Sequence, residues 1–144
     1  MPTYIVSTAA SRLMDLKDRI AEGITTAHSQ ETGAQGFFAQ VIFNEVPEGN
    51  HFLGGRPLSA ELIFVHGFIR AGRTSLQKNR LIERIADVLV DVTARDRRHV
   101  WIYLSELAPA QMVEYGRALP EPGGEEMWLN AMPSADRDYI RGIG

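Results

Sequence analysis

In this 144-residue sequence, the residue that could carry the most unusual chemistry is the proline at position 2. Loss of Met1, which a small penultimate side chain permits, would leave Pro2 with a free secondary amine. An α-amino group titrates at about 8, so this nitrogen can donate or accept a proton near neutral pH. Neighbouring cations lower the pKa of such an amine, and a neighbouring carboxylate raises it. These charges therefore decide whether Pro2 acts as a base or as an acid. The position alone is weak evidence, because chain ends tolerate most residues.

Arg70 and Arg73 form a second candidate group, at the end of a β-branched and aromatic run. Two guanidinium groups at one strand end can hold a carboxylate through charge-assisted, partly bidentate hydrogen bonds. The alternative is a solvated pair that makes surface salt bridges. The residues alone favour that alternative, because exposed arginines are common.

His28, Tyr103 and Glu114 are further candidates. His28 falls on or just past the first predicted helix, where a polar residue stabilised by the helix dipole is the simpler interpretation. A phenol and a carboxylate such as those of Tyr103 and Glu114 can orient and deprotonate a water molecule. Their spacing does not show that they meet, and a half-buried strand tyrosine with a surface glutamate is the alternative.

Composition restricts the classes of function. The sequence has 44% hydrophobic residues, enough for one domain with a continuous core, and its formal charge of -3 gives no general attraction to nucleic acid or anionic membranes. It has no cysteine, which excludes disulfides and thiolate chemistry, and its histidines lack metal-binding spacing. We predict no metal site. With no leader or membrane-spanning stretch, a cytoplasmic protein without nucleic-acid or membrane partners is expected.

Apolar periodicity predicts two successive β-α-β units joined by a long loop. Strands are predicted at residues 3–7, 37–43, 61–70 and 99–106, with helices at about 13–27 and 75–94. Ser11 is predicted to cap the first helix. Strands joined by a helical crossover pair in parallel, so each unit contributes two parallel strands.

We therefore predict an α/β (α+β) fold in a single domain of residues 1–144. It consists of β-α-β units at about 2–60 and 61–108 and a C-terminal extension at 109–144, with a four-stranded sheet and two helices on one face. The strands are apolar on both faces, but the helices cover only one face of the sheet. A second copy of the chain could cover the other face, so we predict an oligomer. The extension either wraps a neighbouring subunit or packs locally.

Several separated segments resemble, in order, the cis-3-chloroacrylic acid dehalogenase branch of the tautomerase superfamily. They are residues 49–55, 64–67, 70–73 and 111–117, followed by Leu119 and Pro120, together with Pro2, Ala27, His28 and residues 101–103. The resemblance covers nearly the whole chain. It departs from the family pattern at Ala34 and Phe38, which replace a threonine and a leucine.

The resemblance implies a homotrimer with a duplicated β-α-β tautomerase fold and an active site around Pro2 near a subunit boundary, without a cofactor. It implies that Arg70, Arg73 and His28 bind and polarise the carboxylate of a small substrate. Tyr103 and Glu114 would activate water for attack at C3 of cis-3-chloroacrylate, and protonated Pro2 would deliver a proton to C2. The products would be malonate semialdehyde and halide.

Three alternatives stay open at this point. The same pocket with a neutral Pro2 could act as an enol-keto tautomerase of the phenylenolpyruvate type. A malonate semialdehyde decarboxylase-like enzyme is less favoured, because the water-activating pair is present. Retention of Met1 would make the Pro2 nitrogen a tertiary amide, and the protein would then be a noncatalytic carboxylate-binding trimer.

Overall fold

The computed structural model describes residues 2–9, 12–58 and 61–143. Short 3-10 turns at Gly36–Phe38, Arg97–His99 and Pro109–Gln111 accompany the main elements. In chain order these elements are β1 (Thr3–Ala9), α1 (Lys17–Thr32), β2 (Gln40–Val46), β3 (Phe52–Leu53), β4 (Arg56–Pro57), β5 (Ile63–Arg70), α2 (Ser75–Thr93), β6 (Val100–Leu107), β7 (Val113–Glu114), β8 (Arg117–Ala118), α3 (Glu125–Asn130) and α4 (Ser134–Arg141).

The main sheet has the strand order β2-β1-β5-β6. Strand β1 pairs in parallel with β2, and β5 pairs in parallel with β6, as the helical crossovers predict. The two β-α-β units join where β1 runs antiparallel to β5, with Thr3 opposite Phe68. The α+β class, the element order and the four-stranded sheet are therefore confirmed. The antiparallel junction also places the start of β1 beside the end of β5.

Both long helices pack on the same face of this sheet. Alternate residues of β1 and β5 join one buried cluster with the apolar stripes of α1 and α2; its members include Tyr4, Val6, Ile20, Ile24, Ile63, Val65, Leu81 and Ile85. Helix α2 begins at a capping box, in which Thr74 Oγ1 accepts the Gln77 N–H and the Gln77 side chain accepts the Thr74 N–H. The predicted layer of two helices on one face is confirmed.

Helix α1 begins and ends later than its apolar spacing predicts. Leu13 is buried although it precedes the first helical residue, Lys17, so the periodic pattern there reports burial rather than helix. The helix runs to Thr32 and ends at Gly33, whose φ of 72° suits glycine. His28 therefore lies inside the helix and not at its end. Ser11, the predicted cap, lies outside the described residues.

The second strand also begins later than predicted, at Gln40 instead of residue 37. Phe37 and Phe38 lie in a 3-10 turn and pack away from the sheet. Phe38 contacts the C-terminal extension, with its ring centroid 5.9 Å from that of Trp128. The apolar run from residue 37 to 43 thus serves two separate clusters, which explains why it resembled one strand buried on both faces.

The C-terminal extension packs on its own chain. Leu129, Met132 and Ile140 form a buried cluster with partly buried neighbours that include Phe37 and Tyr115. The Tyr115 hydroxyl donates to the Phe37 carbonyl oxygen at 3.1 Å. Of the two predicted arrangements for this segment, local packing is the one observed within the chain.

The sheet face opposite the helices presents aromatic side chains. Phe64 and Tyr103 meet there edge to face with their centroids 5.1 Å apart, and His66 and Phe68 lie alongside on β5. The tyrosine side chain is 56% exposed. Across the residues described, none of the helices has the length and apolar character that spanning a membrane requires.

Gly67 offers a test of how the sheet supports Tyr4. A Cβ atom at this position would lie 2.6 Å from Tyr4 Cε1 and 2.7 Å from Leu104 Cδ2. Gly67→Ala should therefore lower the free energy of unfolding by about 1–3 kcal/mol through overpacking. Gly36→Ala is the control, because its new Cβ would meet only Thr25 Cγ2 at 3.5 Å. Urea unfolding compares the variants, and a Gly67→Ala protein as stable as the control would contradict this packing.

Candidate active site

Four of the six predicted site residues line one small cavity. They are Pro2, His28, Arg70 and Arg73, with Ala34 as the remaining lining residue. Pro2 is placed by the edge of the sheet, where its carbonyl oxygen accepts the Gln40 N–H at 3.0 Å. Arg70 ends the antiparallel neighbour of the strand that follows Pro2, so the sheet register brings the two residues together. The structure thus places the amine candidate beside both arginines.

Tyr103 and Glu114 do not line this cavity. Tyr103 lies opposite His66 in the pairing of β5 with β6, and its side chain is on the sheet face away from the helices. Glu114 lines a different cleft, which it shares with Thr3, Gln40 and Val41. Because Thr3 follows Pro2, Glu114 is in the neighbourhood of the cavity, whereas Tyr103 is on another surface of the chain.

His28 is an uncharged residue in this structure. Its side chain is buried, and burial, together with the positive charges of Arg73 and Arg70, lowers its pKa to about 3. His28 Nδ1 lies 2.7 Å from the hydroxyl oxygen of Tyr4. Burial raises the pKa of Tyr4, so this hydroxyl keeps its proton.

The tautomer of His28 follows from the burial of Tyr4. The Tyr4 side chain is fully buried, and the structure gives its hydroxyl no other hydrogen-bond partner within residues 2–9, 12–58 and 61–143. A buried hydroxyl donates its proton where an acceptor is available, so Tyr4 donates to Nδ1. The neutral ring then carries its own proton on Nε2. His28 can therefore offer an N–H donor to a ligand without carrying a charge.

Arg70 is a buried cation held by the C-terminal extension. Its residue surface is 4% exposed, and its Nη1 donates to the Pro120 carbonyl oxygen at 2.7 Å. Its Nη2 forms an ion pair with Glu125 Oε1. Burial raises the pKa of Glu125, but the hydrogen bond and charge of Arg70 outweigh it, so the carboxyl titrates below its usual range. The charge of Arg70 is thus compensated inside the protein.

Arg73 is held more loosely. Its Nη1 donates to the Thr32 carbonyl oxygen at 3.3 Å, and in the part of the chain that the structure describes no carboxylate forms an ion pair with it. Burial and the positive charge of Arg70 lower the pKa of Arg73, against the opposing effect of Glu125. Arg73 is therefore the guanidinium whose charge is available to a ligand.

A larger cleft leads to the cavity. The cavity has a volume of about 10 Å³, room for about one water molecule. It shares Ala34 and Arg73 with a cleft of about 610 Å³ between residues 32–38 and the C-terminal helices. A small carboxylate could place its charged end against Arg73 and His28 and extend into this cleft. Ala34, which departs from the family pattern, lies at the junction.

Glu125 is the residue of the site that the sequence did not reveal. It lies 55 residues from Arg70 in the chain and belongs to no recognisable motif. Its only advance signal was the Asp/Glu preference of a first helical turn, which explains a surface carboxylate equally well.

Tyr4→Phe tests the assignment of the His28 tautomer. Nitrogen-15 NMR of histidine-labelled protein should show His28 protonated at Nε2 in the parent protein, with this preference weakened in the variant. His28→Gln identifies the signal among the four histidines. The variant should keep its fold, because the buried ring remains. A parent signal protonated at Nδ1 would mean that the hydrogen bond with Tyr4 runs in the opposite direction.

Known proteins share both the sequence pattern and the structure of this chain. A family model described as a putative oxalocrotonate tautomerase enzyme matches residues 1–131. A crystal structure described as N1, a member of the cis-3-chloroacrylic acid dehalogenase family, is 35% identical over 97% of this chain and 99% of its own, with a TM-score of 0.93. Native Ps01740 is 29% identical over 78% of this chain and 99% of its own, with a TM-score of 0.73. No curated protein sequence gave a match.

The family model spans most of the chain, and the relationship to N1 extends over nearly all of both proteins. Native fused 4-OT, at 22% identity and a TM-score of 0.75, shares the fold over 81% of this chain and 94% of its own. The chain therefore belongs to the tautomerase superfamily and, within it, to the cis-3-chloroacrylic acid dehalogenase family.

Proposed function

We propose that this tautomerase-type enzyme is a cofactor-independent hydrolytic dehalogenase or hydratase of small unsaturated carboxylates such as cis-3-chloroacrylate. The observation that carries the proposal is the convergence of Pro2, His28, Arg70 and Arg73 on one cavity. Two cations and a neutral N–H donor suit a substrate carboxylate, and a free Pro2 amine would stand beside it.

The electrostatics of the site match the charge that this reaction develops. Addition of water to an unsaturated acid builds negative charge on the carboxylate oxygens. Arg73, with its uncompensated charge, and the Nε2–H of His28 are the main groups that stabilise it, with Arg70 contributing its remaining N–H donors. His28 is held by Tyr4 and Arg70 by Glu125 before the substrate binds, which keeps the reorganisation cost of these two groups low.

Proton transfers complete the reaction. Glu114 accepts a proton from a water molecule oriented by Tyr103 as the water oxygen bonds to C3, and protonated Pro2 gives its proton to C2. The resulting halohydrin loses its hydroxyl proton as the C3–halogen bond breaks. The products are malonate semialdehyde, halide and a proton, and no oxidant or reductant is consumed.

Tyr103 acts, in this proposal, from a neighbouring subunit of a homotrimer. Its exposed position does not line the Pro2 cavity of its own chain. It lies in an apolar surface groove with Phe52, Leu53 and Trp101, whose exposed side chains a second copy would cover. Fused 4-OT proteins of the same fold are described as trimers, which supports this assembly.

A second candidate function is enol-keto tautomerisation. Arg70 and Arg73 lie around Pro2, and their positive charges lower the pKa of a neighbouring amine. A neutral Pro2 would carry a proton between carbon and oxygen positions and would need no activated water. Halide release from cis-3-chloroacrylate supports the first function, and conversion of phenylenolpyruvate without halide release supports the second.

Retention of Met1 should abolish either activity. Met-free protein and protein with Met1 retained, both verified by mass, are compared for halide release and phenylenolpyruvate conversion. The retained form should be at least about 100-fold slower, because an amide nitrogen exchanges no proton near neutral pH. Circular dichroism checks that both forms are folded. Equal rates would exclude Pro2 as the proton-transferring group.

Mixed trimers test the position of Tyr103. Pro2→Ala and Tyr103→Phe chains, each weakly active alone, are co-expressed with different tags and purified together. If each site takes Pro2 from one chain and Tyr103 from its neighbour, every trimer that carries both tags has one restored site, which is about one third of the sites. Activity no higher than the average of the separate variants would show that Tyr103 does not act between subunits.

A further inference from the structure

The C-terminal extension places a carboxylate, outside the six groups considered so far, against a lining residue of the Pro2 cavity: Glu125, in the adjoining cleft, pairs with Arg70. Glu125 Oε1 pairs with Arg70, and Oε2 accepts the Gly123 N–H at 2.8 Å. The same segment covers the turn between the arginines, because a Cβ on Gly72, whose φ is +106°, would lie 2.9 Å from Pro122 Cγ. The position of Glu125 beside Arg70 is thus set by the hydrogen bonds of its two oxygens, one to Arg70 and one to Gly123, and by the packing of its segment.

This carboxylate changes the charge that surrounds Pro2. His28 is neutral, while Arg70 and Arg73 each carry a positive charge. Glu125 cancels the charge of Arg70 and also raises the pKa of Arg73, so its field reaches both guanidinium groups. With Glu125 present the lining residues carry one uncompensated cation; without it they would carry two.

We propose that Glu125 is a positioning residue that compensates Arg70 and thereby keeps the Pro2 amine protonated near neutral pH. The inference rests on the proposed function, since it requires a free amine at Pro2. Two closely placed guanidinium charges would otherwise favour the neutral amine. Glu114, in a different cleft that it shares with Thr3, the residue after Pro2, would act in the same direction. Glu125 thus favours proton donation over proton abstraction.

Glu125 would also shift the balance between two activities. Addition of water to cis-3-chloroacrylate needs Pro2 as an acid, whereas tautomerisation begins with Pro2 as a base. Removing the charge of Glu125 should therefore lower the ratio of halide release to phenylenolpyruvate conversion at neutral pH.

The direct test is the titration of Pro2 by nitrogen-15 NMR in proline-labelled, Met-free protein. Of the seven prolines, only Pro2 would have a nitrogen outside a peptide bond. Glu125→Gln keeps the shape and hydrogen-bond acceptor but removes the charge, and should lower the Pro2 pKa by about one unit. Glu126→Gln is the matched control, because its carboxylate lines the cleft and forms no ion pair among the described residues.

Two further variants should shift the Pro2 pKa in directions that a folding defect would not reproduce. Arg70→Gln leaves the charge of Glu125 in place and should raise the Pro2 pKa, while the double variant should return it close to the parent value. Any of three results overturns the inference. The Pro2 pKa is unchanged in Glu125→Gln, it shifts equally in Glu126→Gln, or it does not rise in Arg70→Gln. The readout needs no turnover. Shifts of the expected sign without halide release would reject the dehalogenase function and leave the role of Glu125 standing.

Discussion

The site depends on the burial of one cation, Arg70, at the end of β5. A guanidinium that is 4% exposed needs a partner, because an uncompensated buried charge costs about 3–5 kcal/mol. The partner is Glu125, supported by Pro120 and the rest of the C-terminal extension. This ion pair therefore joins the extension to the β-α-β core and defines which charges a ligand meets. It leaves Arg73 as the guanidinium of the cavity whose charge is uncompensated among the described residues.

The antiparallel junction of the two β-α-β units is the second constraint. It places Thr3, the first residue of β1, opposite Phe68, two residues before the end of β5, so Pro2 and Arg70 come from distant parts of the sequence and lie close together. The buried Tyr4 connects this edge to α1 through its hydrogen bond to His28. His28 is thus fixed by the core and Arg70 by the C-terminal extension, as preorganised charge stabilisation requires, whereas Arg73 is held more loosely after the end of β5.

The family resemblance singled out Pro2, Arg70 and Arg73, for which the residues alone were weak evidence. The predicted strands do place the two arginines at the end of one strand and Pro2 at the start of another. The neutral state of His28 could not be predicted, because it depends on burial and on the nearby charges of Arg73 and Arg70. Its tautomer depends on a contact with Tyr4, which lies 24 residues away in the chain. Glu125 could not be recognised as a residue of the site, since its ion pair with Arg70 exists only once the extension has folded back. Helix α1 was placed too early because buried turn residues mimic helical periodicity.

Protonated Pro2 is, in our proposal, the acid of a water-adding enzyme. The most direct test compares, in one Met-free preparation, the pH dependence of kcat/KM for halide release from cis-3-chloroacrylate with the NMR titration of the Pro2 nitrogen. The account predicts that the rate falls as pH rises through the Pro2 pKa, with the two midpoints coinciding. A rate that continues unchanged while Pro2 loses its proton would contradict it.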